Sequence, residues 1–166
     1  MWWSDRRRLI LGLAVLPLAG CGFTPALAPG APASVLRGRI RPDPPGDRPG
    51  VAFVDRLEQR LGAPTTPGWR LAWSLQITSE RRGPAPGLSA TRGQMVGRLS
   101  WALTPEGAES PVLRGQAERF AGYGRTGSPL ATRAAAEDAQ LRVAEMLAEA
   151  VASELIATAG DWAQGT

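Results

Sequence analysis

The chain contains no histidine and no lysine, and it has a single cysteine, Cys21. Without histidine it lacks the usual general base of serine and cysteine hydrolases. A lone cysteine excludes an internal disulfide, and the common zinc sites need several Cys or His ligands. We therefore expect no enzymatic activity, no catalytic residues, no metal site and no cofactor.

Arginine supplies all of the positive side-chain charge, with 19 basic residues against 15 acidic ones and a formal net charge of +4. Because arginine stays protonated, the isoelectric point near 10.8 says little about partners. Much of the proline lies between Pro25 and Pro49, and the rest of the 166 residues has the composition of about one globular domain.

The first twenty residues have the pattern of an export signal. Arg6, Arg7 and Arg8 precede a ten-residue apolar stretch that ends at Leu18. That stretch is too short to cross a bilayer, which needs ~20 apolar residues. The next residues, Ala19-Gly20-Cys21, complete a bacterial lipobox that begins at Leu18. The pattern predicts cleavage after Gly20 and attachment of lipid to the Cys21 thiol; the alternative is a buried structural cysteine behind an ordinary secretion signal.

A lipid-modified Cys21 would anchor the mature chain to a membrane without spanning it. Each buried CH₂ contributes ~0.8 kcal/mol, so two or three acyl chains hold a protein almost permanently. Gly22 stands where bacterial lipoproteins retained in the inner membrane often carry Asp, so we expect the periplasmic face of the outer membrane. Loss of residues 1–20 lowers the net charge to about +2, which removes the electrostatic argument for nucleic acid binding.

The first half of the mature chain predicts a tether, a strand and a helix. Residues 21–34 are rich in Pro, Ala and Gly and predict a lipidated flexible tether. Alternation over residues 35–41 predicts a short strand, followed by breakers. From Val51 to Leu61 the apolar residues fall on one helical stripe, with Pro49 before it and Gly62 after it.

The second half predicts three strands and a long helix. Trp69–Thr78 and Gln94–Leu103 alternate apolar and polar residues and predict a hairpin with a long tip, and Val112–Tyr123 predicts a third, less regular strand. After Ser128-Pro129, a cap and first-turn pair, the chain runs to Ala159 with almost no helix breakers. The predicted core stripe of this helix is Leu141, Ala144, Leu147, Val151 and Leu155.

These elements predict one α+β domain over residues 35–159, with a C-terminal tail at 160–166. The order β-α-β-β-β-α favours a two-layer sandwich, in which a mostly antiparallel four-stranded sheet carries both helices on one face. The other face of the sheet is left for solvent or a partner.

In this arrangement the chain resembles the LPS-assembly lipoprotein family, LptE, particularly its alphaproteobacterial members. The similarity covers nearly the whole mature chain, and the lipobox is its one sharp motif. The residues that carry it are Cys21-Gly22-Phe23-Thr24-Pro25, Arg56–Leu61, Trp69–Thr78, Phe120, Tyr123, Ser128–Ala131 and Ala135–Ala139.

The resemblance implies a lipoprotein that plugs the outer-membrane β-barrel LptD, assists its assembly and helps deliver lipopolysaccharide to the outer leaflet. The chain departs from the enterobacterial pattern in having no lysine, so contacts with lipid phosphates must come from arginine. The alternative in the same class is an auxiliary lipoprotein of a phospholipid or solvent ABC-type envelope transport system. A lipoprotein enzyme is the alternative of another class.

The candidate contacts with lipopolysaccharide are Arg81, Arg82 and Arg92, which flank the hairpin loop. Arginine binds phosphate through two hydrogen bonds, and lipopolysaccharide presents phosphates beside acyl chains. The alternative is that these residues solubilise a loop or protect a sheet edge. Arg98 and Arg119 are a second choice on the predicted polar face.

Two further groups of residues favour structural roles. Trp69, Trp73 and Trp101 alternate with leucine, which favours core packing over contact with a lipid or a barrel wall. Glu106 and Glu109 flank a predicted turn, which favours solvated carboxylates over a paired catalytic site.

Overall fold

The computed structural model describes residues 27–80, 92–125 and 127–163. In these residues a four-stranded sheet carries two helices on one face, in the order β-α-β-β-β-α, as predicted. Within the same ranges, no helix is both long enough and apolar enough to span a bilayer. After a 3₁₀ helix at Pro32–Leu36, the elements are β1 (Ile40–Pro42), α1 (Arg48–Leu61), β2 (Trp69–Glu80), β3 (Arg92–Pro105), β4 (Leu113–Gly124) and α2 (Pro129–Trp162).

The strands lie in the order β1-β2-β3-β4. β1 pairs with β2 in parallel, whereas the β2–β3 and β3–β4 pairs are antiparallel, so the sheet is mixed but mostly antiparallel. In the register, Trp73 lies opposite Trp101, and Trp101 lies opposite Gly115. The two long antiparallel pairs form the centre of the domain.

The N-terminal part differs from the prediction. Residues 35–41 do not form one strand: the 3₁₀ helix continues to Leu36, Gly38 has a positive φ of 68°, and β1 is only three residues long. Residues 32–34, predicted as irregular tether, belong to the same 3₁₀ helix, and Ala33 and Leu36 are buried in the core. Leu36, Gly38 and Ile40 do alternate in burial, but the left-handed Gly38 interrupts the extended backbone that a strand requires.

Helix α1 has the predicted signals at both ends. The Asp47 carboxylate accepts a hydrogen bond from the Gly50 N–H at 2.7 Å, and Gly62 ends the helix with a φ of 86°. Phe53, Leu57 and Leu61 are fully buried on one face. The helix begins three residues before the predicted Val51 because Asp47 and Pro49 form its first turn.

Helix α2 covers the sheet with a stripe of small and branched residues. The Ser128 hydroxyl accepts from the Ala131 N–H at 3.2 Å, which confirms the predicted cap. Leu141 is only partly buried, and Val143 takes its place in the core stripe with Leu147. The fully buried residues of the helix are Ala139, Val143, Ala144, Leu147, Ala148, Val151, Ala152, Leu155 and Ala159.

Three tryptophans join the two layers, which confirms that they belong to the core. Trp69 and Trp101 are 2% and 3% exposed, and the half-buried Trp73 stacks on Phe53 with ring centroids 4.9 Å apart. Trp69 also meets Trp162 edge to face at 5.6 Å, so α2 continues past the predicted end at Ala159. This second aromatic contact fixes the end of α2 against the first residue of β2.

Candidate functional site

The sheet face that the helices do not cover, here called the open face, is the candidate site. Side chains of a strand alternate between two faces, and the residues facing the helices include Trp73 and Trp101. The residues between them therefore make up the open face. They are Arg70, Ala72, Ser74, Gln76, Thr78 and Glu80 of β2, Gln94, Val96, Arg98, Ser100, Ala102 and Thr104 of β3, and Arg114, Gln116, Glu118 and Phe120 of β4.

A shallow groove runs along the open face between β2 and β4. Its floor consists of small residues, because Ala72 pairs with Ala102 and Ser74 pairs with Ser100 across the two central strands. One depression of about 390 Å³ includes Ser74, Ser100 and Gln116 in its lining. An adjoining one of about 420 Å³ includes Ala72, Ala102 and Arg114. Hydroxyl, amide and guanidinium groups line the groove, so it can accept a polar surface.

Arg98 holds two carboxylates at the centre of the open face. Its Nε donates to Glu118 Oε2 at 2.6 Å, and its Nη2 lies 3.4 Å from Glu80 Oε1. The hydrogen bond that Arg98 donates to Glu118, followed by the charge of that carboxylate, raises the pKa of the Arg98 guanidinium. One cation between two carboxylates leaves this part of the face with a small net negative charge.

Two further ion pairs lie at the end of the open face where β2 begins. Arg70 makes a bidentate pair with Asp43, with Nε–Oδ1 at 2.6 Å and Nη2–Oδ2 at 2.8 Å. The hydrogen bond to Asp43 raises the pKa of the Arg70 guanidinium. Arg41 donates to Glu106 at 2.6 Å, so Glu106 is a structural partner. Glu109 is exposed in the turn, as the sequence predicted.

The opposite end of the sheet, here called the tip end, is where β2 and β4 end and β3 begins. Of the three arginines predicted to contact lipopolysaccharide, Arg81 and Arg82 lie outside the described residues. Arg92 is exposed at the first position of β3, opposite Gly124, so Arg125 follows it closely in space. In the part of the chain that the structure describes, neither Arg92 nor Arg125 forms an ion pair.

Two large apolar side chains are exposed in the segments that precede and follow the end of β4 at Gly124. Phe120 is 63% exposed on the open face of β4, and Leu130 is 77% exposed in the first turn of α2. The sequence analysis did not predict that Leu130 is exposed. Its position directly after the Ser128-Pro129 cap, in the first turn of α2, was the available indication. The tip end thus combines cations with apolar surface.

Arg119 does not join Arg98 on the open face. It lies opposite Gly97, and a Cβ built on Gly97 would meet Val143 and Leu147 of α2, so this position faces the helices. The Arg119 side chain is exposed at the rim and donates to the Glu118 backbone carbonyl at 2.8 Å. The prediction that Arg98 and Arg119 share a face was therefore wrong. Arg98 is paired with Glu118, and the residue after Glu118 points to the opposite face of the sheet.

Neither metal binding nor lipid attachment is visible in the described ranges. No group of three or more potential metal-ligating side chains occurs among the described residues. The predicted lipid attachment site, Cys21, and the predicted cleavage site after Gly20 lie outside those residues. The open face and the tip end are the surfaces on which function can be argued.

Solved structures of other proteins that are described as lipoproteins share this fold. A candidate lipoprotein from Caulobacter crescentus CB15 aligns over 76% of this chain and 93% of its own, with a TM-score of 0.62 and 21% identity. Rare lipoprotein B from Shewanella oneidensis aligns over 72% of this chain and 93% of its own, with a TM-score of 0.55 and 10% identity.

A minor lipoprotein from Acinetobacter baumannii aligns over 75% of this chain and 95% of its own, with a TM-score of 0.56 and 12% identity. No protein-family model matches the chain, and no curated protein matches it in sequence. At these identities the likeness establishes a common fold over nearly the whole length of each neighbour.

Proposed function

We propose that this chain is a lipoprotein, anchored by Cys21 to the periplasmic face of the outer membrane, that acts as an LptE-type partner of the LptD barrel. In this role it plugs the barrel, assists its assembly and helps deliver lipopolysaccharide to the outer leaflet. The observation that carries the proposal is the fold shared with three lipoproteins. The lipobox and the similarity to the alphaproteobacterial LptE pattern extend it to this particular role.

The open face suits a position inside a barrel. The lumen wall of an outer-membrane barrel is polar, in contrast to its lipid-facing wall. The open face presents hydroxyl and amide groups along a shallow groove, and two of its arginines are paired with carboxylates, Arg98 with Glu118 and Arg70 with Asp43. Paired charges lower the cost of placing this face against another polar wall, because fewer isolated ions lose water.

The tip end suits contact with an anionic amphiphile. Arg92 and Arg125 can bind phosphate groups through paired N–H donors. Phe120 and Leu130 provide exposed apolar surface in the adjoining segments, which an acyl chain can cover. We propose that the tip end, together with Arg81 and Arg82, which directly follow β2 in the chain, contacts lipopolysaccharide by binding alone and without making or breaking bonds.

Purification of the mature lipidated protein through an affinity tag tests the barrel partnership. In mild detergent we expect LptD to be recovered with the tagged chain. The matched control is Cys21→Ser, for which mass spectrometry should show no lipid and recovery from membranes should fall. Absence of LptD from the lipidated sample would contradict the proposal.

A second candidate is an auxiliary lipoprotein of a phospholipid or solvent transport system, because that role needs the same anchor and a similar small domain. Depletion in the native host separates the two. Loss of an LptE-type protein leaves newly made lipopolysaccharide behind the outer leaflet, where surface labelling fails to reach it. Normal surface lipopolysaccharide with altered phospholipid distribution would favour the second candidate.

A further inference from the structure

Strand β4 is a long sheet edge with no strand beyond it. It has twelve residues, contains no proline, and pairs with β3 in an unbroken register from Leu113 to Gly124. The opposite edge consists of the three-residue β1 and of β2 beyond Leu71. Proteins commonly guard a sheet edge with proline, a bulge, a short strand or charged side chains, and within the β3-paired register β4 has only the last of these, in Arg114, Glu118 and Arg119.

The register shows which backbone groups of β4 face away from the sheet. The Glu106 N–H donates to the Gly68 carbonyl, which continues the β2–β3 pairing, so even-numbered residues of β3 bond to β2 and odd-numbered ones bond to β4. Gly115 of β4 is opposite Trp101. The odd-numbered residues of β4 are therefore bonded to β3, and the N–H and C=O groups of Arg114, Gln116 and Glu118 point to the free edge.

The same three residues carry a self-complementary charge pattern on the open face. Arg114 and Glu118 are exposed and lie two positions on either side of Gln116. Arg114 has no carboxylate partner in the described part of the chain. An antiparallel copy related by a two-fold axis at Gln116 would set each Arg114 opposite the other Glu118.

Helix α2 leaves this half of the edge free. Towards its middle the helix lies beside the second half of β4, where Arg142 donates to the Gly122 carbonyl at 3.2 Å, and it ends at Trp162 against Trp69 of β2. It therefore crosses the sheet diagonally, away from the first half of β4. Near Gln116 the one contact to be displaced is the exposed hydrogen bond from Arg119 to the Glu118 carbonyl.

We propose that β4 pairs with β4 of a second copy of this chain, antiparallel and centred on Gln116, to form a continuous eight-stranded sheet. Between the two copies, residues 113–119 form about six backbone hydrogen bonds in total. The register is selective: an axis at Arg114 or at Glu118 would set like charges opposite each other, which is destabilising. Only the axis at Gln116 forms both Arg114–Glu118 pairs.

Disulfide trapping tests the register in the full chain carrying Cys21→Ser, so that an introduced thiol is the only one. At Gln116→Cys the two Cα atoms would be ~5.5 Å apart, which a disulfide can bridge. The matched control is Ser100→Cys, an exposed position on the open face of β3, which is paired with a strand on both sides. We expect a covalent dimer from Gln116→Cys alone. Equal trapping at both positions, or none at Gln116→Cys, would overturn the register.

Charge variants test the dimer by sedimentation velocity. Arg114→Glu gives a chain with two negative groups at the edge, and Glu118→Arg gives one with two positive groups. Each variant alone should dimerise at least ~10-fold more weakly than the unmodified chain, and an equimolar mixture should recover dimers because every cross-pair is then of opposite charge. A monomeric unmodified chain, or variants that dimerise normally alone, would overturn the proposal. So would protection of the β4 amides from hydrogen exchange only when a barrel protein is added.

Discussion

Arg98 of β3 and Glu118 of β4 lie directly opposite each other on the open face, joined by a 2.6 Å hydrogen bond from Nε to the carboxylate. Both side chains are more than half exposed, so water screens the pair and its contribution to stability is small. Its more important effect is on the surface, because it holds the Arg98 guanidinium in the lining of the groove with its positive charge paired.

Arg98→Gln should therefore shift the midpoint of thermal unfolding by no more than about 2 °C. The raised pKa of Arg98 means that its stabilising effect is present at every pH below the ordinary arginine pKa and is lost only as pH rises through the higher folded value. The shift should thus be the same from roughly pH 6 to pH 9. A midpoint difference that grows steadily across that range would contradict this reasoning.

Gly97→Ala should lower the free energy of unfolding by about 1–3 kcal/mol. The new Cβ would overlap Val143 Cγ1 and would come within 2.9 Å of Leu147 Cδ1, so α2 would have to move away from the sheet. Gly122→Ala is the matched control, because its Cβ would have only the Gly93 carbonyl nearby, at 3.9 Å. Urea unfolding measures both, and equal losses would show that packing under α2 is not the cause.

Leu147→Ala should lower the free energy of unfolding by about 2–5 kcal/mol, because a fully buried leucine leaves a cavity. Leu130→Ala, at a side chain 77% exposed, should change it by less than about 0.5 kcal/mol. Chemical denaturation with the same probe compares the two. If Leu130→Ala were the more costly change, the assignment of the core face of α2 would be wrong.

Asp47→Ala should lower the free energy of unfolding by about 1 kcal/mol, because the Gly50 N–H loses its acceptor at the start of α1. Asp47→Asn keeps a side-chain oxygen and should cost only a few tenths of a kcal/mol, by roughly the same scale. Thermal unfolding of both variants separates the cap from a general charge effect, which would make the two losses equal.

Arg92→Glu should weaken binding of purified lipopolysaccharide at least ~10-fold, because a phosphate would meet a carboxylate in place of a guanidinium. Arg37→Glu is the charge-matched control, since Arg37 is exposed near the other end of the sheet, just after the 3₁₀ helix. Fluorescence titration or calorimetry can measure both affinities. Equal weakening would mean that overall charge, and not the tip end, governs binding.

The sequence predicted the central elements well because their periodicity is set by burial on one face. Trp69, Leu71 and Trp73 alternate into the core side of β2, and the caps at Asp47 and Ser128 are local interactions between near neighbours. Gly62 past the end of α1 belongs to the same group, because a helix end needs only a few adjacent residues to define it.

The remaining features depend on which strands pair and in which register, and the sequence of one strand does not determine either. Val143 replaces Leu141 in the stripe of α2 because Gly97 of β3 leaves room beneath it. Arg119 faces the helix side because the β3–β4 register places it opposite Gly97. The groove on the open face likewise needs Ser74 and Ser100 to be neighbours across two strands, and no local pattern sets that match.

The edge-to-face contact between Trp69 and Trp162 joins the first residue of β2 to the last turn of α2. During synthesis the three long strands emerge before α2, and the helix that is already made, α1, packs on the same face through Phe53 and Trp73. Until α2 has been synthesised, the polypeptide therefore exposes apolar surface of the sheet, which is prone to aggregation.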